Sequence, residues 1–234
     1  METEDFSKLF PLFDASSADA LSSMLSVAWQ NEYPAGRAIL IEDAWGNALY
    51  FILDGWVKVR RLLANNEDTT LAILGPGDFF GEMAILDQSP RSTDVVALTQ
   101  AHVLSVPAQK FTQVLMKEPQ LHYRMLQLMA QRLRQTNTRL ETQHQPAAVK
   151  LAHVLVNLGQ RYGKRQEGSS AAATILNIPI GDLADLSSIN TDDATKLMAK
   201  LSEKGWVKVD AAHHALLLNM PQLEQLAHQT GAST

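Results

Sequence analysis

Residues 79–97 read FFGEMAILDQSPRSTDVVA and hold a glycine, a carboxylate and an arginine within one short segment. Gly81 lacks a Cβ, so its backbone can come close to a ligand. A helical turn beginning near Glu82 would direct unpaired backbone N–H groups at that ligand, an arrangement that suits an anion. Ten residues after Gly81 stands Arg91, whose planar guanidinium can hold two phosphate oxygens. The stretch is therefore predicted to bind phosphate and is called the phosphate cassette below.

The neighbours of these residues narrow the ligand further. Ser92 and Thr93 add hydroxyl donors next to Arg91. A carboxylate such as Glu82 cannot pair with phosphate, but it can accept hydrogen bonds from sugar hydroxyls. Phosphate and sugar recognition in one segment indicates a cyclic nucleotide pocket. The alternative is a β-hairpin that carries a surface Arg–Glu pair, which either half of the pattern alone would favour.

The residues around the cassette predict an all-β block from Glu32 to Val106, preceded by short helices within residues 6–29. Short segments rich in β-branched residues alternate with glycines, as in an antiparallel sandwich or barrel. Asp54-Gly55 is predicted to form a hairpin turn. The predicted strands are Ala38–Ile41, Leu49–Leu53, Trp56–Arg60, Thr69–Leu74, Val95–Leu98 and His102–Pro107.

A long amphipathic helix is predicted over Pro119–Gln143. Five side chains recur at steps of three and four residues and predict a heptad seam that pairs with a second helix. An ordinary helix packed on its own core is the alternative, since two heptads are short. A hydroxyl within an apolar seam is costly unless it has a partner, so Thr136 is unexpected there. The seam residues are Leu126, Met129, Leu133, Thr136 and Leu140.

After a predicted hinge at residues 144–149, the pattern indicates a second small domain. Ala147–Tyr162 is helical, residues 163–173 form a polar loop, and Thr174–Ile178 is a short strand. A helix that starts at Pro179 is followed by a second helix over residues 190–203. A β-hairpin made by residues 206–209 and 216–218 ends the domain. Two helices and a hairpin in this order predict a winged helix-turn-helix.

Composition excludes several classes of function. The 234 residues hold no cysteine, which rules out disulfides, cysteine-ligated metal sites and thiol nucleophiles. Residues 1–118 carry 8 basic and 16 acidic side chains, which argues against a polyanion surface there. The acidic start METEDF and the lack of a long apolar run predict a cytoplasmic protein without a membrane span. No nucleophile–base pair or metal-spaced histidine set is visible, so we expect no enzyme.

The cassette resembles the phosphate-binding segment of cyclic nucleotide-binding domains, and the whole chain is similar to the CRP/FNR superfamily of transcription regulators. The resemblance implies an α+β protein with three parts: a cyclic nucleotide-binding β jelly roll over 1–118, a dimerisation helix over 119–145 and a winged helix-turn-helix DNA-binding domain over 146–234. It also implies which cassette residues meet the ribose phosphate. These are Gly81, Glu82, Met83 and Ala84, with Arg91 and Ser92 holding the phosphate.

The resemblance extends to the long helix and to the choice of ligand. Members of the superfamily that bind cAMP carry a Thr-Ser pair that contacts the adenine, and Thr136-Asn137 stands at this place. This implies cAMP as the allosteric ligand; cGMP, another nucleotide or a degenerate pocket remain open. An oxygen-sensing cluster would need cysteines, and His102 or His122 alone is weak support for haem.

By the same resemblance, the exposed start of the second helix would enter the major groove of double-stranded DNA. The family has an Arg-Glu pair and a further Arg here, whereas this chain has Thr191-Asp192 and Lys196. Two lost arginines remove guanine contacts, and carboxylates near phosphates weaken DNA binding. A helix-turn-helix that binds protein instead therefore remains an alternative. The expected DNA-binding residues are Asn190, Thr191, Asp192, Thr195, Lys196 and Lys200, with Lys204, Lys208, Lys164 and Arg165 as further phosphate contacts.

The function implied is a cAMP-responsive, homodimeric transcription regulator. Ligand at the jelly roll and central helix would shift the recognition helices into an arrangement that fits a palindromic operator. RNA polymerase is the further partner that the resemblance implies. A family member that works without a ligand is the remaining alternative.

Overall fold

The computed structural model describes residues 3–14, 16–62, 68–163, 174–209, 214–217 and 219–228. The chain divides into two compact units, Met1–Asn137 and Thr138–Thr234. The predicted division at 118/119 and 145/146 stays a prediction. Most of the predicted polar loop, with Lys164 and Arg165, lies outside the described residues, as do residues 211–213 and 218 of the predicted hairpin.

The N-terminal unit contains two antiparallel four-stranded sheets, as the predicted jelly roll requires. Their strand orders are β1-β8-β3-β6 and β2-β7-β4-β5. The predicted strands are all present, whereas β1 and β6 were not predicted. The strands are β1 Trp29–Tyr33, β2 Ala38–Leu40, β3 Ala48–Asp54, β4 Val57–Leu62, β5 Asp68–Leu74, β6 Phe79–Phe80, β7 Asp94–Ala97 and β8 Ala101–Pro107.

Alternation along β3 builds two hydrophobic cores, one on each face of the first sheet. Leu49 and Phe51 join a core with helices α1 (Thr3–Leu9), α2 (Ala18–Leu25) and α4 (Ala108–Lys117). Ile52 faces the other way and packs with residues of both sheets, and Tyr50 packs against the same cluster. The phosphate cassette, which includes the short helix α3 (Met83–Leu86), connects β6 of the first sheet to β7 of the second.

The prediction of a hairpin at Asp54-Gly55 was wrong. β3 belongs to the first sheet and β4 to the second, and the two strands are not paired with each other. Gly55 has a φ of 81°, and a Cβ there would lie 2.2 Å from the carbonyl oxygen of Gln100. After this turn Trp56 bonds to the segment that follows β7, through its carbonyl and Leu98 N at 2.8 Å. Asp54 and Gly55 correctly indicate a tight turn. Which sheet the chain enters after the turn depends on strands that are distant in sequence.

Helix α5 spans Pro119–Glu141 and has one buried and one exposed face. Leu121 and Met125 are buried in the N-terminal core, and Leu128 and Met129 pack against it. Met129 of the predicted seam therefore faces its own unit. Among the exposed side chains of α5, one set recurs at steps of three and four residues. They are Tyr123, Leu126, Ala130, Leu133, Asn137 and Leu140, called the exposed stripe below.

The C-terminal unit has the predicted helix-turn-helix, and the predicted strand pairs with the predicted hairpin in one three-stranded sheet, a pairing that was not predicted. Helix α6 is Ala147–Tyr162, and the antiparallel sheet has the order β10-β11-β9. Pro179 precedes helix α7, in keeping with its fixed φ and missing N–H. The other elements are β9 Thr174–Pro179, α7 Ile180–Leu186, α8 Thr191–Glu203, β10 Val207–Val209, β11 His214–Leu217 and α9 Met220–Ala227. Helix α9 was not predicted. None of the described helices is long and apolar enough to cross a membrane.

Candidate functional site

Arg91 lies inside the N-terminal unit, only 4% exposed, although arginine normally stays at the surface. Its Nη1 donates to the carbonyl of Gly81 at 2.6 Å, and its Nη2 donates to the carbonyl of Ala48 at 2.7 Å. Its Nε is buried and has no hydrogen-bond partner among the described residues. The guanidinium of Arg91 thus bonds back to Gly81, ten residues earlier in the cassette.

The charge of Arg91 is not balanced by a carboxylate within ion-pair distance among the described residues. Burial lowers the pKa of Arg91, while nearby Tyr50 and Glu82 act in the opposite direction. Tyr50 stacks on Phe80 with ring centroids 5.2 Å apart, and the guanidinium carbon of Arg91 lies 5.9 Å from the Tyr50 ring. Because an isolated buried cation is costly, this site favours an anion that arrives from outside.

The glycine and the short helix of the cassette have the predicted geometry. Gly81 has a φ of 85°, and a Cβ there would lie 2.7 Å from Nη1 of Arg91. Helix α3 begins at Met83, so the first N–H groups of this turn have no partner within the helix. Ala84 is buried, whereas Met83 is exposed. Ser92 holds its hydroxyl 4.0 Å from the sulfur of Met83.

The structure shows an ion pair that the sequence interpretation missed. Glu82 is 4% exposed, and its Oε1 accepts from Nη1 of Arg132 at 2.5 Å. The same guanidinium donates to the carbonyl of Phe79 at 2.6 Å and lies 4.5 Å from the centre of the Phe79 ring. Arg132 therefore fastens helix α5 to the cassette. The available signal was an arginine one helical turn before Thr136, off the predicted seam.

Thr136 and Asn137 lie on the exposed part of α5. The hydroxyl of Thr136 donates to the carbonyl of Arg132 at 3.1 Å, which supplies a partner for this group within the helix. Neither residue has a hydrogen bond to the cassette among the described residues. Arg132 makes that contact instead.

The six predicted DNA-binding residues are all exposed: five lie at residues 190–196, at the start of α8, and Lys200 lies in its last turn. Ala194, Met198 and Leu201 are buried beneath them and hold the helix on its unit. The turn before α8 contains Ser188 with a φ of 53°, the left-handed region that favours glycine. Its carbonyl accepts from Nζ of Lys150 at 2.9 Å. A serine therefore holds a backbone conformation that glycine adopts more readily.

Two of these exposed side chains already have partners. Asn190 caps α8: its Oδ1 accepts from Asp193 N at 2.7 Å, and its Nδ2 donates to the Asp193 carboxylate at 2.7 Å. Thr195 donates to the carbonyl of Thr191 at 2.8 Å. Asp192 and Lys196, one turn apart and both exposed, have no side-chain hydrogen bond among the described residues and are therefore available to an incoming partner.

Comparison with known proteins agrees with this geometry. The family of the cyclic nucleotide-binding domain matches residues 30–118, which contain the cassette and both sheets. The CRP-like cAMP-activated global transcriptional regulator of Mycobacterium tuberculosis is 26% identical over 200 residues, which cover 85% of this chain and 88% of that protein. The cyclic AMP receptor protein of Thermus thermophilus is also 26% identical over 200 residues, with the same 85% and 88% coverage.

Solved structures show a similar fold. The structure of FixK2 from Bradyrhizobium japonicum has a TM-score of 0.74 to this chain and covers 87% of it and 99% of its own length. At 20% identity this match shows the fold alone.

Proposed function

We propose, for a chain that belongs to the CRP/FNR superfamily of transcription regulators, that cAMP controls its binding to DNA as a homodimer. The ligand would sit at the phosphate cassette and act on helix α5. The recognition helices α8 of two copies would then reach neighbouring turns of a palindromic operator, about 34 Å apart. RNA polymerase is the further partner that we propose, and the cytoplasm is the place where such a regulator acts on DNA.

The observation that carries the ligand proposal is the buried, uncompensated guanidinium of Arg91. A cyclic phosphodiester has one negative charge and acceptor oxygens, which match the unpaired Nε and the remaining N–H groups of the two Nη atoms. The unpaired N–H groups at the start of α3 would contribute further donors. Glu82 pairs with Arg132 through Oε1, and its other oxygen, which has no hydrogen bond among the described residues, could accept from a ribose hydroxyl.

The Arg132–Glu82 pair also supports a route from the ligand to helix α5. A ribose that bonds to Glu82 changes the partner of a side chain on α5, one turn from Thr136. Thr136 and Asn137 are the proposed contacts to adenine, since their hydroxyl and amide can donate and accept. Ligand binding would then favour one arrangement of α5 over another, which is a shift of population.

The exposed stripe supports homodimerisation. Leu126, Leu133 and Leu140 are 67%, 62% and 62% exposed, which is unusual for leucines at heptad spacing on one helix. A second copy of the same stripe would bury them in a two-stranded coiled coil. Asn137 at a seam position is compatible with two strands, since a single polar residue there sets register at some cost in stability.

Isothermal titration calorimetry with cAMP and cGMP tests the ligand. We expect saturable binding with cAMP preferred, and a Thr136→Ala variant that loses part of this preference. An unchanged ratio of the cAMP and cGMP affinities in Thr136→Ala would contradict its contact with the base. Absence of binding to either nucleotide would favour a degenerate pocket or a member that works without a ligand.

A helix-turn-helix that binds protein is a second candidate, favoured by Asp192 and Asp193 at the exposed start of α8. Retention of the cAMP-loaded protein on a random pool of duplex oligonucleotides, measured against salt, separates the two. We expect salt-dependent retention, with Lys196→Ala lowering the salt slope by about 1 because one phosphate contact is lost. No salt-dependent retention would favour the protein partner.

A further inference from the structure

The segment between β2 and β3 wraps around Arg91. Its main chain bonds to Arg91 in both directions: Asp43 N donates to the Arg91 carbonyl at 2.9 Å, and Arg91 N donates to the Ala44 carbonyl at 2.9 Å. Where the segment ends and β3 begins, the carbonyl of Ala48 accepts from Nη2 of the guanidinium at 2.7 Å. The segment thus holds both the backbone and the side chain of the predicted phosphate-binding arginine.

Gly46, within this segment, lies directly against the guanidinium of Arg91. A Cβ at this position would fall 2.0 Å from Nε and 2.1 Å from both Cζ and Nη2 of Arg91. These distances are far below van der Waals contact, so no side chain other than hydrogen fits while the guanidinium stays in place. The backbone of Gly46 is not left-handed, since it is not among the glycines with positive φ. Space for the guanidinium, rather than backbone conformation, is therefore what requires glycine here.

We propose that Gly46 is a positioning residue for phosphate recognition: it leaves the room in which the guanidinium of Arg91 is held ready for the ligand. The inference rests on the proposed function, because it assigns that arginine to the cyclic phosphate. With glycine at 46, the carbonyls of Gly81 and Ala48 orient the guanidinium and leave its Nε unpaired. A ligand phosphate then meets a guanidinium whose position is already set by the protein, which lowers the cost of ordering it on binding.

Gly46→Ala separates this role from folding better than a change at Gly81 does. Gly81 also contacts the guanidinium, but its φ of 85° would add backbone strain to any substitution. At position 46 the overlapping atoms are the far end of a flexible side chain, so the guanidinium moves and the backbone stays. The expected loss is the set of bonds that orient Arg91.

The experiment compares calorimetric cAMP affinities of the wild type, Gly46→Ala and a matched control, Gly181→Ala. A Cβ at Gly181 meets no atom within 4 Å, and its φ is also not positive. We expect Gly46→Ala to weaken cAMP binding about 10-fold or more, the equivalent of one charge-assisted hydrogen bond. Gly181→Ala binds as the wild type does.

A double-mutant cycle with Arg91→Ala identifies the partner. If Gly46 acts through the guanidinium, Gly46→Ala changes neither cAMP affinity nor thermal midpoint once Arg91 is alanine. The thermal midpoint keeps the test valid even if Gly46→Ala alone folds poorly, since Arg91→Ala then restores the fold. Wild-type affinity in Gly46→Ala, or an equal loss in both backgrounds, overturns the inference. A wild-type protein that binds no cyclic nucleotide overturns the proposed function itself.

Discussion

Replacing Arg132 by methionine tests how firmly helix α5 is fastened to the cassette. The side chain of Glu82 is 5% exposed and that of Arg132 is 26% exposed. The change removes the partner of a buried carboxylate, the donor to the Phe79 carbonyl and a cation over the Phe79 ring. Breaking a fully buried ion pair costs about 3–5 kcal/mol, and the partial exposure of Arg132 reduces this to about 2 kcal/mol.

The same helix offers a matched control. Arg124 also donates to a backbone carbonyl, that of Pro11 at 3.0 Å, and lies 3.6 Å from the carboxylate of Asp14. Both of these charged side chains are more exposed, so Arg124→Met should cost under about 1 kcal/mol. For a unit of this size, about 2 kcal/mol lowers the thermal midpoint by about 7 °C, as measured by circular dichroism. A midpoint for Arg132→Met no lower than that of Arg124→Met would refute the reasoning, and Glu82→Gln in the same chain should recover part of the loss.

Three further predictions concern the dimer and the C-terminal unit. Leu133→Lys on the exposed stripe should give monomers in sedimentation velocity, whereas Gln131→Lys beside it should not; dimers in both would exclude the stripe as the interface. Ser188→Gly should stabilise the C-terminal unit by about 1 kcal/mol, seen as a higher thermal midpoint, because φ is 53° there; a lower midpoint would contradict this. Burial, and secondly the neighbouring His228, lower the pKa of His153, so the unfolded chain binds a proton more readily. Stability should therefore fall as the pH drops below about 6.5, less so in His153→Gln; equal pH profiles would exclude this role.

The cassette was predictable because its residues are close in sequence. Gly81, Glu82 and Arg91 fall within one short segment, and each residue type has a chemistry that can be named without coordinates. The sequence did not reveal that Arg91 is buried and bonds to backbone carbonyls. Arg91 bonds to Ala48, which is 43 residues away in sequence, and it fills the space that a side chain at position 46 would need. Both contacts depend on how the strands of the two sheets come together.

The long helix shows why periodicity alone leaves a choice. Leu126 and Leu133 fit two stripes, one through Met129 and one through Ala130, and both have steps of three and four. The structure selects the second, because Met129 packs against the N-terminal core. Arg132 lies off the predicted seam, and periodicity gives no sign of its ion pair because its partner Glu82 is 50 residues away in sequence. Surfaces covered by other elements decide which face of a helix is free.

The position of the recognition helix α8 was predictable because helix capping and the spacing of buried residues depend on neighbours in sequence. The cap at Asn190 and the buried spacing of Ala194, Met198 and Leu201 follow from residues within one helix. Asn190 is not a free donor, because its amide nitrogen donates to the carboxylate of Asp193 and its amide oxygen accepts from Asp193 N. That detail depends on side-chain conformation and was not visible in the sequence.

The central claim is that the buried guanidinium of Arg91 is the binding group for a cyclic phosphate. Calorimetric titration of cAMP into the wild type and into Arg91→Ala tests it most directly. We expect one saturable site per chain in the wild type and an affinity about 100-fold lower in Arg91→Ala, from the loss of two charge-assisted hydrogen bonds. Equal affinities in the two proteins would contradict it.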